Sequence, residues 1–314
     1  PYMVNKRALL FGSVSGAAEL HKNPPDRYVF NFRPSVEVEI KRLVYYFTTN
    51  RQPQISAKNL ALFAQGDDGA GKLDAHGQSA YDALTSVLDT GFKISKANIV
   101  AATHTRGTLD TKPAVKAMLK WIGSGNLEAD QNQQISAVVL MATSYKPAAQ
   151  FVKELTDEVF RIKRGVSQGA DYGLTSGEAD IIKTVRQIFF TATSSVGSQQ
   201  LASELAAFGQ YDVDDKGARR AYCSGAVVSQ VVPSIDSASS GVLDYKDRLK
   251  AYDPNLVPSF VGFEAYLTAE ILVQGLKKHG RGLSVESYID TLEGLGKLNL
   301  GIGAMLGLFR ANPS

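Results

Sequence analysis

Apolar and polar positions alternate along this chain in blocks, and the block from Ile135 to Phe151 shows the pattern most clearly. It opens with mostly apolar, β-prone residues, ISAVVLM, which predict a strand buried on both faces. A small polar loop follows, Thr143-Ser144-Tyr145-Lys146. Pro147 suits the first turn of a helix, because its fixed φ fits there and its missing N–H would be unpaired anyway. The block therefore predicts a strand, a loop and a helix in succession.

The same succession recurs along the whole chain. Apolar runs predict seven strands, at 8–11, 28–32, 59–64, 97–103, 135–141, 187–192 and 226–232. Helical periodicity separates them, and the longest amphipathic helix is predicted from about Phe260 to His279. The glycine-rich tail after residue 295 is expected to contain few strands. Alternating strands and helices predict an α/β fold with mostly parallel, doubly wound sheets.

Two segments interrupt the alternation. The stretch 48–58 is polar and contains proline, which makes it a fair place for the chain to pass between lobes. The stretch 163–186 is hydrophilic and rich in glycine, and it is interpreted either as an inserted excursion or as an extended helix end.

Composition narrows the class of protein. An apolar fraction of 44% and a charged fraction of 21% are ordinary for a globular protein, and a net charge of +3 does not argue for nucleic-acid binding. No apolar run approaches the roughly 18 residues of a membrane span.

Cys223 is the lone cysteine, so no intrachain disulfide can form. It is expected to be a small buried side chain that fills space in the core. Residues 1–7 do not resemble a signal peptide, which leaves open a cytosolic chain or a removed leader.

Small polar residues follow most of the predicted strands, where open α/β sheets hold their ligands. The glycine-rich loop 65–71 does not have GxGxxG spacing, and no P-loop lysine pattern follows it. The four histidines lie far apart without metal-site spacing, so His104 is expected to be structural. No nucleophile elbow, HExxH or kinase set is present. The residues therefore do not support catalysis, and no metal or cofactor is expected.

Longer stretches resemble a known family. FGSVSGAAEL and RYVFNFRPSVEVE look like the first-lobe segment of the type I periplasmic binding proteins, the branched-chain amino acid-binding family of ABC transporters. FAQGDDGAGKLDAHG, AATHTRGTLDTKPAV, AVVLMATSYKPAAQFVKEL and FFTATSSVGSQQLASEL are similar to that family's second-lobe units. VVSQVVP, LDYKDRLKAY and FVGFEAYLTAEILVQGLKKHG resemble the return to the first lobe. The resemblance runs in family order from about residue 8 to 295.

The resemblance implies two doubly wound lobes that hinge over a small polar solute, an amino acid or related carboxylate. The first lobe would comprise 1–55 and 233–314, and the second 56–232. It also implies delivery of the solute to an ABC transporter permease. The expected location is periplasmic or extracellular, with a lipid anchor at the membrane surface as one mode of attachment. A monomer without nucleic-acid partners is expected, unless another chain completes the first lobe.

The resemblance also implies which residues bind the solute. Ser13, Ser15 and Gly16 would offer first-lobe donors to a carboxylate, aided by N–H groups at a helix start. Asp68 would accept from an α-ammonium group. The second-lobe residues expected to close over the solute are Ser144, Tyr145, Lys146, Ser194 and Ser195. A solvated side chain is the alternative for Lys146.

The chain departs from the family at several points. It begins part-way into the family's first lobe, so that lobe is expected to be incomplete or completed by a partner chain. Ala70 stands where an aromatic residue is common, which weakens stacking on an amino acid there. Two other functions stay open. The first is a ligand-sensing domain of a receptor or regulator. The second is a nucleotide-dependent α/β enzyme, which needs a phosphate-cradling loop and a titratable pair that the sequence does not show.

Overall fold

The structure, a computed structural model, describes residues 2–66, 72–213, 217–303 and 305–307. The chain divides into two compact units, the first formed by Pro1–Ser35 with Gln230–Ser314 and the second by Val36–Ser229. The predicted division placed residues 36–55 in the first lobe, whereas they lie in the second unit. The reason is the apolar face of the helix at 36–45, which packs against the helix at 75–92.

Helices and short strands alternate through both units. The helices are α1 Tyr2–Asn5, α2 Val36–Tyr45, α3 Ala75–Phe92, α4 Lys112–Gly123, α5 Tyr145–Lys163, α6 Ser176–Thr184, α7 Ser198–Ala207, α8 Ser240–Tyr252, α9 Phe260–His279 and α10 Val285–Glu293. The strands are β1 Leu10–Phe11, β2 Val29–Phe30, β3 Leu60–Gly66, β4 Ala101–Thr105, β5 Ser136–Ala142, β6 Gln187–Ala192, β7 Gln210–Asp212, β8 Arg219–Ala221, β9 Val227–Val228, β10 Lys297–Asn299 and β11 Met305–Gly307. In the described part of the chain, no helix combines the length and apolarity needed to cross a membrane.

A five-stranded sheet forms the centre of the second unit. Its strand order is β4-β3-β5-β6-β9, and every neighbouring pair is parallel. All residues of β5 are buried, as expected for a central parallel strand covered on both faces. Each of the seven predicted strands overlaps an observed parallel strand, which confirms the predicted α/β class.

Side chains alternate between two apolar layers along the central strands. On β3, Phe63 belongs to a cluster with residues of α4 and α5, whereas Leu62 belongs to the opposite cluster with α2 and α3. The rings of Phe63 and Phe151 stack with their centroids 4.0 Å apart. Both rings are fully buried, and burial of such a side chain contributes roughly 1.5–3 kcal/mol. These two layers hold the strand ends in register.

The first unit has a smaller core, in which α8 and α9 contribute Tyr245, Phe263 and Ile271. Strand β1 pairs in parallel with β2, and β10 pairs antiparallel with β11. The tail was expected to contain few strands, and the β10–β11 hairpin corrects that expectation. The three-residue strands of this hairpin are too short to show a periodic apolar pattern.

The segment 163–186 contains a helix, α6, which was not predicted because the sequence there is hydrophilic. Thr175 and Glu178 form a capping box at its start, and Glu178 also contacts Lys120 of α4 at 2.9 Å. Ala179 and Ile182 are buried in the core of the second unit. The segment is therefore not an extension of α5, which ends at Lys163, but contains a separate helix packed on the core.

Candidate functional site

The carboxyl ends of the parallel strands in the second unit lie along one edge of its sheet. The register places Gly66 of β3 opposite Thr105 of β4, and Met141 of β5 opposite Ala192 of β6. Polar residues follow these strands directly. Because parallel strands end at the same edge, the loops that carry the predicted site residues of this unit are neighbours.

The loop after β5 leads directly into the longest helix of the second unit. Helix α5 begins at Tyr145, with Ser144 in extended conformation as its N-cap residue. Ser144 and Lys146 are exposed, and Tyr145 is half-buried against the core. The Ser144 side chain makes no capping hydrogen bond, so its hydroxyl is available for other partners. A helix N-terminus with an adjacent lysine favours an anion such as a carboxylate.

The two serines of the loop after β6 differ in burial. Ser194 is buried, and Ser195 is exposed. The Ser195 hydroxyl lies 2.9 Å from Oγ1 of Thr193 and 3.3 Å from Nε2 of His76. Of the two predicted residues, Ser195 is the one whose side chain reaches the surface of this unit.

Glu39 of α2 holds the backbone of this loop. Its side chain is buried, and Oε2 accepts hydrogen bonds from the Ser194 backbone N–H at 2.7 Å and from the Ser229 hydroxyl at 2.5 Å. Its Oε1 has no hydrogen-bond partner among the described residues. The sequence prediction missed Glu39. A signal was present, because Val36, Glu39, Ile40 and Leu43 follow helical spacing and place a carboxyl group on the apolar face.

His104, at the end of β4, is buried beside the loop after β5. Its Nδ1 lies 3.0 Å from the Thr105 carbonyl oxygen, and its Nε2 lies 2.7 Å from Oγ1 of Thr143. The carbonyl can only accept, so Nδ1 carries the proton and Nε2 accepts from the threonine hydroxyl. Burial lowers the pKa of His104. A neutral imidazole joins the ends of two strands, in keeping with the expected structural role.

The loop after β3 includes two predicted features outside the described residues, Asp68 and Ala70. The described residue beyond it is Asp74, which is buried and caps α3. Its Oδ1 accepts from the Gly77 backbone N–H at 2.8 Å, and its Oδ2 accepts from Nε2 of Gln65 at 2.5 Å. Asp74 therefore ties the end of β3 to the start of α3.

In the first unit, the loop that contains Ser13, Ser15 and Gly16 is ordered by local hydrogen bonds. Oγ of Ser13 accepts from the Ser15 backbone N–H at 3.2 Å, and Oγ of Ser15 accepts from the Ala17 N–H at 3.3 Å. Both hydroxyl hydrogens remain available to a ligand. A short 3-10 turn, Ala18–Leu20, follows the loop. The α-helix start expected to assist these residues is therefore not found there.

A buried ion pair fixes the same loop. Arg33 donates from Nη1 to the Val14 carbonyl oxygen at 2.7 Å. The Arg33 guanidinium also pairs with both carboxylate oxygens of Glu264, at 2.9 and 3.0 Å. Gly12, at φ +62°, brings the backbone against α9, where an added Cβ would lie 2.1 Å from Cγ2 of Thr268. The loop is thus held from two sides.

Known structures share this architecture. A possible leucine/isoleucine/valine-binding protein from Rhodopirellula baltica SH 1 matches with a TM-score of 0.72 and 22% identity, over 99% of this chain and 67% of its own. A substrate-binding periplasmic protein from Ralstonia solanacearum matches at 0.66 and 18%, over 97% and 67%. A branched chain amino acid ABC transporter protein from Thermus thermophilus with bound valine matches at 0.61 and 14%, over 99% and 67%. The chain has the fold of the type I periplasmic binding proteins.

The periplasmic-binding-protein fold confirms the family resemblance at the level of architecture. The chain spans about two thirds of the length of each of these three proteins. No protein-family profile and no curated protein matches it. Within the described residues, no group of three or more metal-ligating side chains comes together.

Proposed function

We propose that this protein is an extracytoplasmic solute-binding protein, which captures an amino acid or related carboxylate and delivers it to an ABC importer. The observation that carries the proposal is the edge of the second unit's sheet. There, the exposed Ser144, Lys146 and Ser195 stand at the carboxyl ends of parallel strands in a fold used by periplasmic binding proteins. Hydroxyl groups, a helix N-terminus and a lysine are the chemistry that recognises a carboxylate.

The solute proposed is a small amino acid or a carboxylate close to it. Two of the matching proteins are named for branched-chain amino acids, and one of these holds valine. At the start of α5, Tyr145 offers a half-buried ring suited to contact with an apolar side chain and a hydroxyl that can donate to a carboxylate. Ser144, Tyr145, Lys146 and Ser195 are the proposed direct contacts, and Ser194, whose backbone N–H donates to Glu39, is proposed to hold Ser195 in place. Roles in solute binding for Ser13, Ser15, Gly16 and Asp68 remain predictions.

The partner and location follow from the same proposal. We expect an ABC permease as the recipient of the solute and a periplasmic or extracellular location, with a lipid anchor as one mode of attachment. A monomer is the expected state of the mature protein. No observation on the described residues favours the sensor or the nucleotide-dependent enzyme.

A thermal-shift screen tests the proposal. The purified protein is heated with each of the common amino acids, with short aliphatic carboxylates and with aromatic acids. A ligand at a hundred times its Kd stabilises the folded state by about 2.7 kcal/mol, which raises the midpoint by several degrees. We expect a shift with at least one member of the panel. Unchanged midpoints across the whole panel contradict solute binding.

Variants then test the site. Tyr145→Phe removes only the hydroxyl of Tyr145. Ser144→Ala removes a hydroxyl that makes no capping hydrogen bond, so neither variant should unfold the protein. Each should weaken binding of the solute found in the screen. Ser86→Ala, on the exposed surface of α3, is the matched control and should leave the affinity unchanged. Equal affinities in all four proteins refute the assignment of the site while leaving the solute-binding function intact.

A further inference from the structure

A cavity lies in the second unit, at the edge of the sheet opposite the loops described above. The last turns of α5, the start of β6 and the β7–β8 hairpin enclose it. Gln187, at the beginning of β6, lines it, whereas the candidate solute loop follows Ala192 at the other end of that strand. The cavity is open on one side and encloses only about 30 Å³, so a bound ligand would extend into its open mouth.

The described lining of this cavity carries positive charge. Lys163, Arg186 and Arg220 contribute side chains, and none of the described lining residues is an aspartate or a glutamate. Nζ of Lys163 donates to the Val185 carbonyl oxygen at 2.5 Å. Burial lowers the pKa of Lys163, since the ammonium is partly removed from water. In the part of the chain that the structure describes, none of these three cations forms an ion pair.

Nearby carboxyl groups are engaged elsewhere. Asp157 pairs with Lys153 and accepts from the Tyr222 hydroxyl. Asp212 pairs with Arg164 and Arg219. The positive charges of the cavity are therefore not neutralised by these neighbours, and an entering anion would gain their attraction in a partly desolvated space.

The remaining wall combines aromatic, apolar and polar side chains. The rings of Phe160 and Tyr211 lie 4.9 Å apart, and those of Tyr211 and Tyr222 lie 5.2 Å apart. The Tyr222 hydroxyl is held by Asp157, so this ring presents its face rather than a free polar group. Val159 and Ile188 add apolar surface, and Thr156, Gln187 and Ser224 add polar groups. Cations beside tilted aromatic rings suit a ligand with one anionic end and a hydrophobic body.

We propose that this cavity is a second ligand site, which binds a small hydrophobic carboxylate between Lys163, Arg220 and the tyrosine rings. Its position at the amino end of β6 makes it independent of the solute contacts at the carboxyl end. The carboxylate pairs with the cations, and the body of the ligand covers the rings. Phosphate supplies the charge without the body, and a neutral amide supplies the body without the charge, so each should bind more weakly.

Calorimetric titration of the purified protein with phenylacetate and with octanoate tests this site. Phenylacetamide and inorganic phosphate serve as the two comparison probes. We expect at least one carboxylate to bind with a Kd below about 1 mM, and phenylacetamide and phosphate to bind at least ten times more weakly. Binding of neither carboxylate, or equal binding of phenylacetate and phenylacetamide, overturns the proposal.

Variants locate the binding and separate it from the solute site. Arg220→Gln and Lys163→Met should each weaken the carboxylate at least tenfold, and circular dichroism checks that both variants fold. Lys41→Met, on the exposed surface of α2, and Tyr145→Phe should bind it like the parent protein. If binding is lost in Tyr145→Phe but kept in the two cavity variants, the carboxylate occupies the solute site and the second site is refuted.

Discussion

The carboxyl group of Glu39 accepts a 2.7 Å hydrogen bond from the backbone N–H of Ser194. The same oxygen accepts from the hydroxyl of Ser229, the last residue of the second unit. Helix α2 therefore holds both the loop after β6 and the segment through which the chain leaves that unit. A buried carboxyl group with two donors on one oxygen fixes the backbone of this loop, next to the exposed Ser195.

We predict that Glu39→Ala lowers the free energy of unfolding by roughly 2–4 kcal/mol, because a buried and a partly buried donor lose their acceptor. Binding of the solute should weaken as well, since the loop loses its support. Glu39→Gln keeps an acceptor oxygen and should restore most of the stability. Chemical denaturation measures these differences. Glu37→Ala, on the exposed side of the same helix, is the control, and an equal loss in both alanine variants would show that the hydrogen bonds contribute nothing.

Two arginines of the first unit pair with carboxylates at different depths. The side chains of Arg33 and Glu264 are only 5% and 12% exposed, whereas Arg27 meets Glu286, Asp290 and Glu293 on the exposed surface. Arg33→Met should cost roughly 3–5 kcal/mol, because the largely buried Glu264 is left without its partner. Arg27→Met should cost about 1 kcal/mol or less.

The double variant Arg33→Met/Glu264→Leu provides the internal check on this pair. Removing both charges should recover part of the stability that Arg33→Met loses, since no unpaired charge remains. Similar losses for Arg33→Met and Arg27→Met in urea titrations would be inconsistent with this account.

His104 should make the stability of the second unit depend on pH. Burial lowers the pKa of its imidazole in the folded protein below the ordinary value of 6.5, while Asp74 acts in the opposite direction. The unfolded chain therefore binds more protons as the pH falls below about 7, and the folded state loses stability. We expect the free energy of unfolding to fall between about pH 7 and 5, and to fall less in His104→Gln. Identical pH dependence in the two proteins would exclude His104 as a cause.

Gly12 is required where the first-unit loop meets α9. Its φ is +62°, and an added Cβ would overlap Cγ2 of Thr268. Gly12→Ala should therefore cost roughly 2–4 kcal/mol, of which about 1 kcal/mol is backbone strain. Thr268→Ser removes the overlapping methyl group and keeps a hydroxyl that can donate to the Glu264 carbonyl oxygen. The double variant should recover the steric part in thermal unfolding. Failure of Thr268→Ser to relieve any of the loss would contradict this explanation.

Much of the second unit could be predicted from the sequence because its strands are buried on both faces. A run such as ISAVVLM needs no tertiary information to be identified as a central parallel strand. The assignment of α2 to a unit could not be predicted. Its apolar residues, among them Ile40 and Val44, require burial but do not say against which helix. The charged β7–β8 hairpin was also not predicted, because the sequence around Tyr211 and Arg220 shows no alternation of apolar and polar residues.

The positions of the loops at the strand ends could be predicted from the sequence, but the role of each residue in them could not. Ser194 and Ser195 are equivalent in sequence, and only the turn after β6 buries one and exposes the other. The contact of Glu39 with Ser194 joins elements far apart in the chain, so no local pattern contains it. The cavity at the other end of β6 likewise depends on how the β7–β8 hairpin packs against α5.

Calorimetric titration with the amino acid or carboxylate that gives the largest thermal shift is the most direct test of solute binding. We predict saturable binding of one solute per protein, weakened about tenfold, or about 1.4 kcal/mol, by Tyr145→Phe and by Ser195→Ala. Ser86→Ala should bind like the parent protein. If no amino acid or carboxylate of the panel binds saturably, the account is contradicted.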